Sequence, residues 1–132
     1  MRSRTRPSPR IARDVPQPKR APDPKRSSSH LDFVRSLPCC VCARRPRSEA
    51  AHIRAGTDGG IGVKPSDRFT VPLCGDDHRD QHQRGELAFW SGHGIDPTGL
   101  AEHLWTKSGD VAAGTRAALR TAMQVTARRM AG

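Results

Sequence analysis

Apolar positions along the chain come in short bursts separated by Gly, Pro and charged runs, and their spacing predicts the elements. Leu31, Val34 and Leu37 recur at helical spacing with Phe33 beside them, so His30–Leu37 reads as a short helix stopped by Pro38. Ala50–Arg54 and Arg68–Leu73 read as short strands; Pro72 limits pairing and places the second at a sheet edge. Between them Gly56–Lys64 (GTDGGIGVK) reads as a flexible loop. From Asp76 the pattern turns helical, with Asp76 or Asp77 as cap and His78, His82, Leu87 and Phe89 in line behind. Gly85 weakens that helix and is where it ends or kinks.

Asp96-Pro97 opens another helix, with Asp as N-cap and Pro in the first turn, and Leu100, Leu104 and Trp105 form its apolar face. A last, Ala-rich helix runs from about Asp110 to Met130. Its apolar positions are Leu119, Met123 and Met130, and its basic ones are Arg116, Arg120, Arg128 and Arg129. Phe89, Trp90, Leu104 and Trp105 read as core rather than as platforms for stacked bases. This order of elements gives an α+β class.

Composition sharpens the picture. With 132 residues, 34% hydrophobic and 4% aromatic with no Tyr, the chain supports one domain with a small core. Such a core calls for a staple. No export signal or membrane-spanning run is visible, which predicts a cytoplasmic location with reduced thiols and no membrane partner. Cys39-x-x-Cys42 together with Cys74 therefore favours a metal site over disulfides.

The net charge of +10 points to a polyanionic partner, most simply DNA. Residues 1–29 hold nine Lys/Arg against Asp14 and Asp23, and six of the eleven prolines. They read as a disordered basic arm that can hold phosphates through counterion release. Residues 30–107 then form the domain, and 108–132 a C-terminal helix.

The chemistry-bearing residues fall in the middle third. Cys39, Cys42 and Cys74 supply thiolates for a structural ion. His78 and His82, four apart on a helix, can both reach one ion. His52 stands alone on the first strand, and an imidazole with a pKa near ~6.5 can take a proton from water at neutral pH. Arg54 and Lys64 suit contact with backbone phosphates. His93 and His103 carry no assignment.

Taken together, these segments resemble the HNH, or His-Me finger, endonucleases over about residues 36–106. The segments are Pro38-Cys-Cys-Val-Cys42, Ala51-His-Ile-Arg54, Gly59–Lys64, Pro65–Phe69 and Pro72-Leu-Cys74, followed by Phe89-Trp90, Ile95-Asp96-Pro97 and Leu104-Trp105. They look most like phage- and prophage-borne proteins of that group, similar to the recombination-associated Ref nucleases. The resemblance implies a zinc-knuckle-stapled ββα-metal domain with additional C-terminal helices, which hydrolyses DNA to 5′-phosphate and 3′-hydroxyl ends.

It further implies His52 as general base, with Asp67 orienting it or joining the metal shell. His78 and His82 would be ligands of a catalytic Mg²⁺ or Mn²⁺, and Cys39, Cys42 and Cys74 ligands of a structural Zn²⁺. Asp77 stands where relatives carry the fourth ligand as Cys or His; Cys40 or water are the alternatives. A recombinase is the associated partner that the resemblance suggests. Two departures stand out: Ala51 replaces a usual metal ligand, and the middle Asn is missing. They leave open a second expectation, a catalytically inactive, zinc-stabilised DNA-binding or recombination accessory protein.

Overall fold

Ser27 sets the first element. Its hydroxyl accepts the His30 backbone N–H at 3.3 Å and launches helix α1 (Ser28–Arg35) two residues earlier than the apolar spacing alone suggests. The computed structural model describes residues 23–132, so the readings made on residues 1–22 lie outside the described residues. After α1 a tight turn, with Ala43 at φ 61°, carries Cys39, Cys40 and Cys42. Strand β1 (Glu49–His52) follows and pairs antiparallel with β2 (Thr70–Leu73). Both strands are shorter than expected. The register sets Glu49 opposite Leu73, Ala50 opposite Pro72, Ala51 opposite Val71 and His52 opposite Thr70.

Because side chains alternate across a strand, this hairpin divides the core in two. Ala51, Val71 and Leu73 belong to a cluster with Ile53, Phe89, Trp90 and the buried cysteines. Ala50, on the other face, packs on a cluster of Phe33, Val34, Leu37, Leu104 and Ala117. With two strands among the described residues, Pro72 sits in an edge strand as expected, and its carbonyl accepts the Cys40 N–H at 3.0 Å.

Helix α2 (Gly75–Arg84) is capped by Cys74, whose Sγ accepts the Asp77 N–H at 3.4 Å; neither Asp76 nor Asp77 is the cap. Gly85 at φ 89° ends the helix, and the chain restarts at once as α3 (Glu86–His93). Leu87 and Phe89 thus sit on a separate helix from the histidine pair, and Leu87 lies 73% exposed while Phe89 is fully buried. Helix α4 (Pro97–Thr106) starts as the sequence predicts, with the Asp96 carboxylate accepting the Gly99 N–H at 3.1 Å. Helix α5 (Val111–Ala131) is capped by Asp110. The architecture is α+β, with five helices and one two-stranded antiparallel sheet among the described residues. None of these helices is long and apolar enough to cross a membrane.

On helix α5 the largest apolar side chains are not the buried ones. Its buried face is Ala113, Gly114, Ala117, Ala118, Ala122 and Val125, whereas Leu119, Met123 and Met130 are exposed. The reason is close approach: a Cβ on Gly114 would lie 2.7 Å from Phe33 and 2.9 Å from Leu37. Only small residues fit that seam. Trp105 also departs from the expected core, being 40% exposed with its ring against the His30 edge at 4.8 Å.

This packing has consequences for stability. Gly114→Val should destabilise the fold by about 1–3 kcal/mol through overpacking, while Met123→Ala should change stability by less than ~0.5 kcal/mol, both read by urea denaturation. His30 is fully buried, its Nδ1 is 2.8 Å from Ser108 Oγ, and its Nε2 has no partner. Burial holds its pKa below the usual histidine value, only partly offset by Asp67. The folded state therefore binds this proton less readily than the unfolded chain. The associated stability is complete above about pH 6.5 and declines as pH falls towards the lowered value. Denaturation at pH 7.5 and 5.5 should show that loss, and His30→Leu should reduce it, with His52 and His93, whose pKa values burial also lowers, supplying the remainder.

Candidate functional site

Three groups of polar side chains surround the hairpin. The first lies where the cysteine turn meets the β2–α2 junction. Asp77 Oδ2 accepts from the thiols of Cys39 at 3.3 Å and Cys74 at 3.2 Å, and Cys42 Sγ lies 3.7 Å from Cys74 Sγ. One donor atom from each of Cys39, Cys42, Cys74 and Asp77 falls within 4.8 Å of every other. Among the described residues this is the one set of three or more such donors so gathered. Two sulfurs bound tetrahedrally at ~2.3 Å stand about 3.8 Å apart, so the Cys42–Cys74 separation suits a zinc ion between them.

Burial pushes the thiols of Cys39 and Cys74 up from their ordinary pKa, and the Asp77 carboxylate beside them acts in the same direction. Without an ion these thiols stay protonated, and a bound cation stabilises the thiolates instead. Cys40 is fully buried and stands outside the set, so the fourth donor the geometry offers is Asp77. The cluster can hold a metal ion, and its three sulfurs and one oxygen fit zinc.

The second group centres on His52. Its Nε2 lies 2.9 Å from Asp67 Oδ1, and the Asp67 side chain is only 3% exposed. The same Oδ1 accepts from Arg26 NH1 at 2.9 Å, while Oδ2 accepts the Ser27 N–H at 2.8 Å. Burial by itself would raise the Asp67 pKa, but the hydrogen bonds from His52, Ser27 and Arg26 outweigh it and the net shift is downward. The carboxylate is therefore ionised at neutral pH and can only accept. His52 Nε2 must donate to it, which leaves the lone pair on Nδ1. Burial lowers the His52 pKa; the bond to Asp67 opposes this, and the nearby charges of Lys64 and Arg26 reinforce it. The imidazole is neutral at pH 7.

The third group is on α2. His78 Nε2 and His82 Nε2 face each other at 3.2 Å, and His78 Nδ1 lies 2.9 Å from Glu49 Oε1. Nothing local in the sequence singles out Glu49. Its meeting with His78 depends on β1 pairing beside the start of α2, and so on tertiary structure. Two ligand atoms at ~2.1 Å and right angles around a small divalent ion stand about 3.0 Å apart, close to the observed Nε2 separation. A carboxylate on the far ring nitrogen is the usual way a metal-bound histidine is oriented.

The three histidines thus form two groups rather than one. Glu49 and Ala51 share one face of β1, and Ala50 and His52 the other. No hydrogen bond or ring contact joins His52 to His78 or His82 among the described residues. Glu49 and His52 are three residues apart, about 10 Å along the strand. Arg54 turns to its own loop, where NH1 donates to Gly60 O at 3.2 Å and Val63 O at 3.1 Å. Lys64 carries its charge near His52, and its carbonyl accepts from Arg26 NH2 at 3.2 Å.

Fold and site together define a small α+β domain with a cysteine–aspartate cluster able to hold a metal. The family model described as "Protein of unknown function (DUF968)" matches residues 13–110, and the chain belongs to that family. No curated protein and no solved structure matches it.

The cluster makes a direct prediction. Zinc chelation, or Cys42→Ser, should remove several kcal/mol of stability and lower Tm by on the order of 10 °C or more in thermal denaturation under reducing conditions. An unchanged Tm after metal removal would contradict a structural ion.

Proposed function

We propose that the protein is a metal-dependent DNA endonuclease of the His-Me finger (HNH) class, with zinc as its structural ion. The observation that carries this reading is the His52–Asp67 pair at the end of β1: a half-buried neutral imidazole whose tautomer is fixed by an ionised carboxylate. That is the arrangement a general base requires, because the proton-accepting nitrogen is held ready and the opposite nitrogen is anchored. Asp67 takes the orienting role left vacant by the missing Asn.

His78 and His82 would hold the catalytic Mg²⁺ or Mn²⁺ through their Nε2 atoms, with Glu49 orienting His78 from behind. When bound, such an ion supplies Lewis-acid stabilisation of charge on the phosphate and the departing oxygen. The Glu49 partnership strengthens the His78 donor in a site where Ala51 contributes none. His52 and Glu49, the partner of His78, alternate in direction along β1, so on this reading the phosphodiester would bridge the two groups across the outer edge of that strand. The other side of the sheet is closed by Cys40, whose N–H bonds Pro72 O. The net charge of +10 suits a polyanionic substrate, and Lys64 lies near His52.

A second reading keeps one observation in its favour: among the described residues only His78 and His82 are directed at the proposed ion, and Ala51 adds no third donor. On that reading the protein is a zinc-stabilised DNA binder without catalysis. Cleavage of plasmid and single-stranded DNA in Mg²⁺ and Mn²⁺ decides between them. The nuclease reading expects 5′-phosphate products, and His52→Ala should lose at least about 100-fold in rate with DNA affinity retained. Binding with no cleavage in any divalent metal, or equal cleavage by His52→Ala, would overturn it.

A further inference from the structure

The segment before α1 is fastened to the same carboxylate that holds His52. Asp67 receives Arg26 NH1 on Oδ1 at 2.9 Å and the Ser27 N–H on Oδ2 at 2.8 Å, and its own N–H donates to Lys25 O at 2.8 Å. Arg26 reaches two further acceptors, Pro65 O at 2.9 Å and Lys64 O at 3.2 Å. One guanidinium therefore spans the stretch that leads into Asp67. Lys25 adds a looser, exposed contact with Asp58 at 3.9 Å, which contributes little.

This geometry is specific. A carboxylate only 3% exposed has lost most of its water, and it stays ionised because donors replace that water. His52 and Arg26 share Oδ1, so the rotation of the carboxylate that serves one also serves the other. Remove the guanidinium and Oδ1 loses one of its two donors. Asp67 keeps the His52 and Ser27 N–H donors but loses the link that fixes its rotation against Lys64 and Pro65, and it then holds His52 in the Nε2–H form less firmly. Lysine can supply the charge but not the planar fork that meets a carboxylate and two carbonyls at once.

We infer that Arg26 is a positioning residue for His52, acting through Asp67, so that residues 25–27 are mechanically joined to the site. Its catalytic consequence rests on His52 being the base, as proposed above; the coupling itself exists without substrate. The Arg26 guanidinium is engaged by Asp67, Pro65 O and Lys64 O, so it acts through Asp67. Its charge also faces the His52 ring together with that of Lys64, so the two cations and Asp67 set the field at that imidazole.

The test uses the full chain with its zinc and the variants Arg26→Gln and Arg26→Lys. Nitrogen-15 spectra of the histidine rings report the His52 tautomer without substrate. The wild-type protein should show Nε2–H, Arg26→Gln a mixture of both tautomers, and Arg26→Lys an intermediate spectrum. In the cleavage assay Arg26→Gln should lower kcat on the order of tenfold or more with KM changed less than about threefold, and Arg26→Lys should recover part of the loss. An unaltered His52 spectrum in Arg26→Gln, or a raised KM with normal kcat, would overturn the inference and leave Arg26 as a simple DNA contact. Should Arg26→Gln fail to fold, Arg26→Lys alone decides, because a wild-type spectrum and kcat there would also overturn it. Absence of cleavage by the wild-type protein would remove the nuclease reading, and any catalytic role for Arg26 with it, whatever the ring spectra show.

Discussion

Cys74 is the residue on which the rest of the structure turns. It follows β2 directly, caps α2 through its sulfur and joins Cys39, Cys42 and Asp77 in one cluster. The cluster ties a turn near residue 40 to a helix start near residue 75, closing a long loop that a small core would struggle to close unaided. An ion there can contribute on the order of 10 kcal/mol, comparable with the whole stability of a domain this size. The surface pair Arg44–Asp76 at 3.0 Å bridges the same two segments, but its exposure limits its worth. With the start of α2 fixed, His78 comes one turn later beside Glu49, and His82 one turn beyond that.

The hairpin then distributes the chemistry. Alternation along β1 sends Glu49 towards α2 and His52 towards Asp67, so the two groups are separated by the strand itself. Each is supported differently. The α2 pair depends on helix geometry and on one exposed carboxylate. His52 depends on a nearly dry aspartate that is held from three sides by His52, Arg26 and Ser27. In a protein this small, the residues that orient a functional group are also those that seal the fold: Ser27 caps α1 and binds Asp67 at the same time.

The sequence makes the local features legible and hides the long-range ones. The Cys39, Cys42 and Cys74 set is readable from spacing, as is the α4 start at Asp96-Pro97, because ligand spacing and capping are short-range signals, whereas Asp77 is one of three candidates for the fourth donor until the fold brings it to the sulfurs. Cys74 as the cap of α2 is not, since a sulfur is rarely read as a cap beside two aspartates. The buried face of α5 is not legible in the sequence, for a physical reason. Size of an apolar side chain is not its burial, and the helix approaches α1 too closely at Gly114 for Leu or Met to lie between them. Glu49 and Arg26 acquire meaning only through contacts 29 and 41 residues away. Asp67 could be named from sequence, but not the company that keeps it ionised.

The central claim is that a metal held by three sulfurs and one carboxylate oxygen organises this domain. X-ray absorption at the zinc edge on the purified protein tests it most directly. The account predicts a shell of three sulfurs near ~2.3 Å and one oxygen near ~2.0–2.2 Å. A four-sulfur shell that draws in Cys40, or a protein that carries no zinc and stays folded, would contradict it.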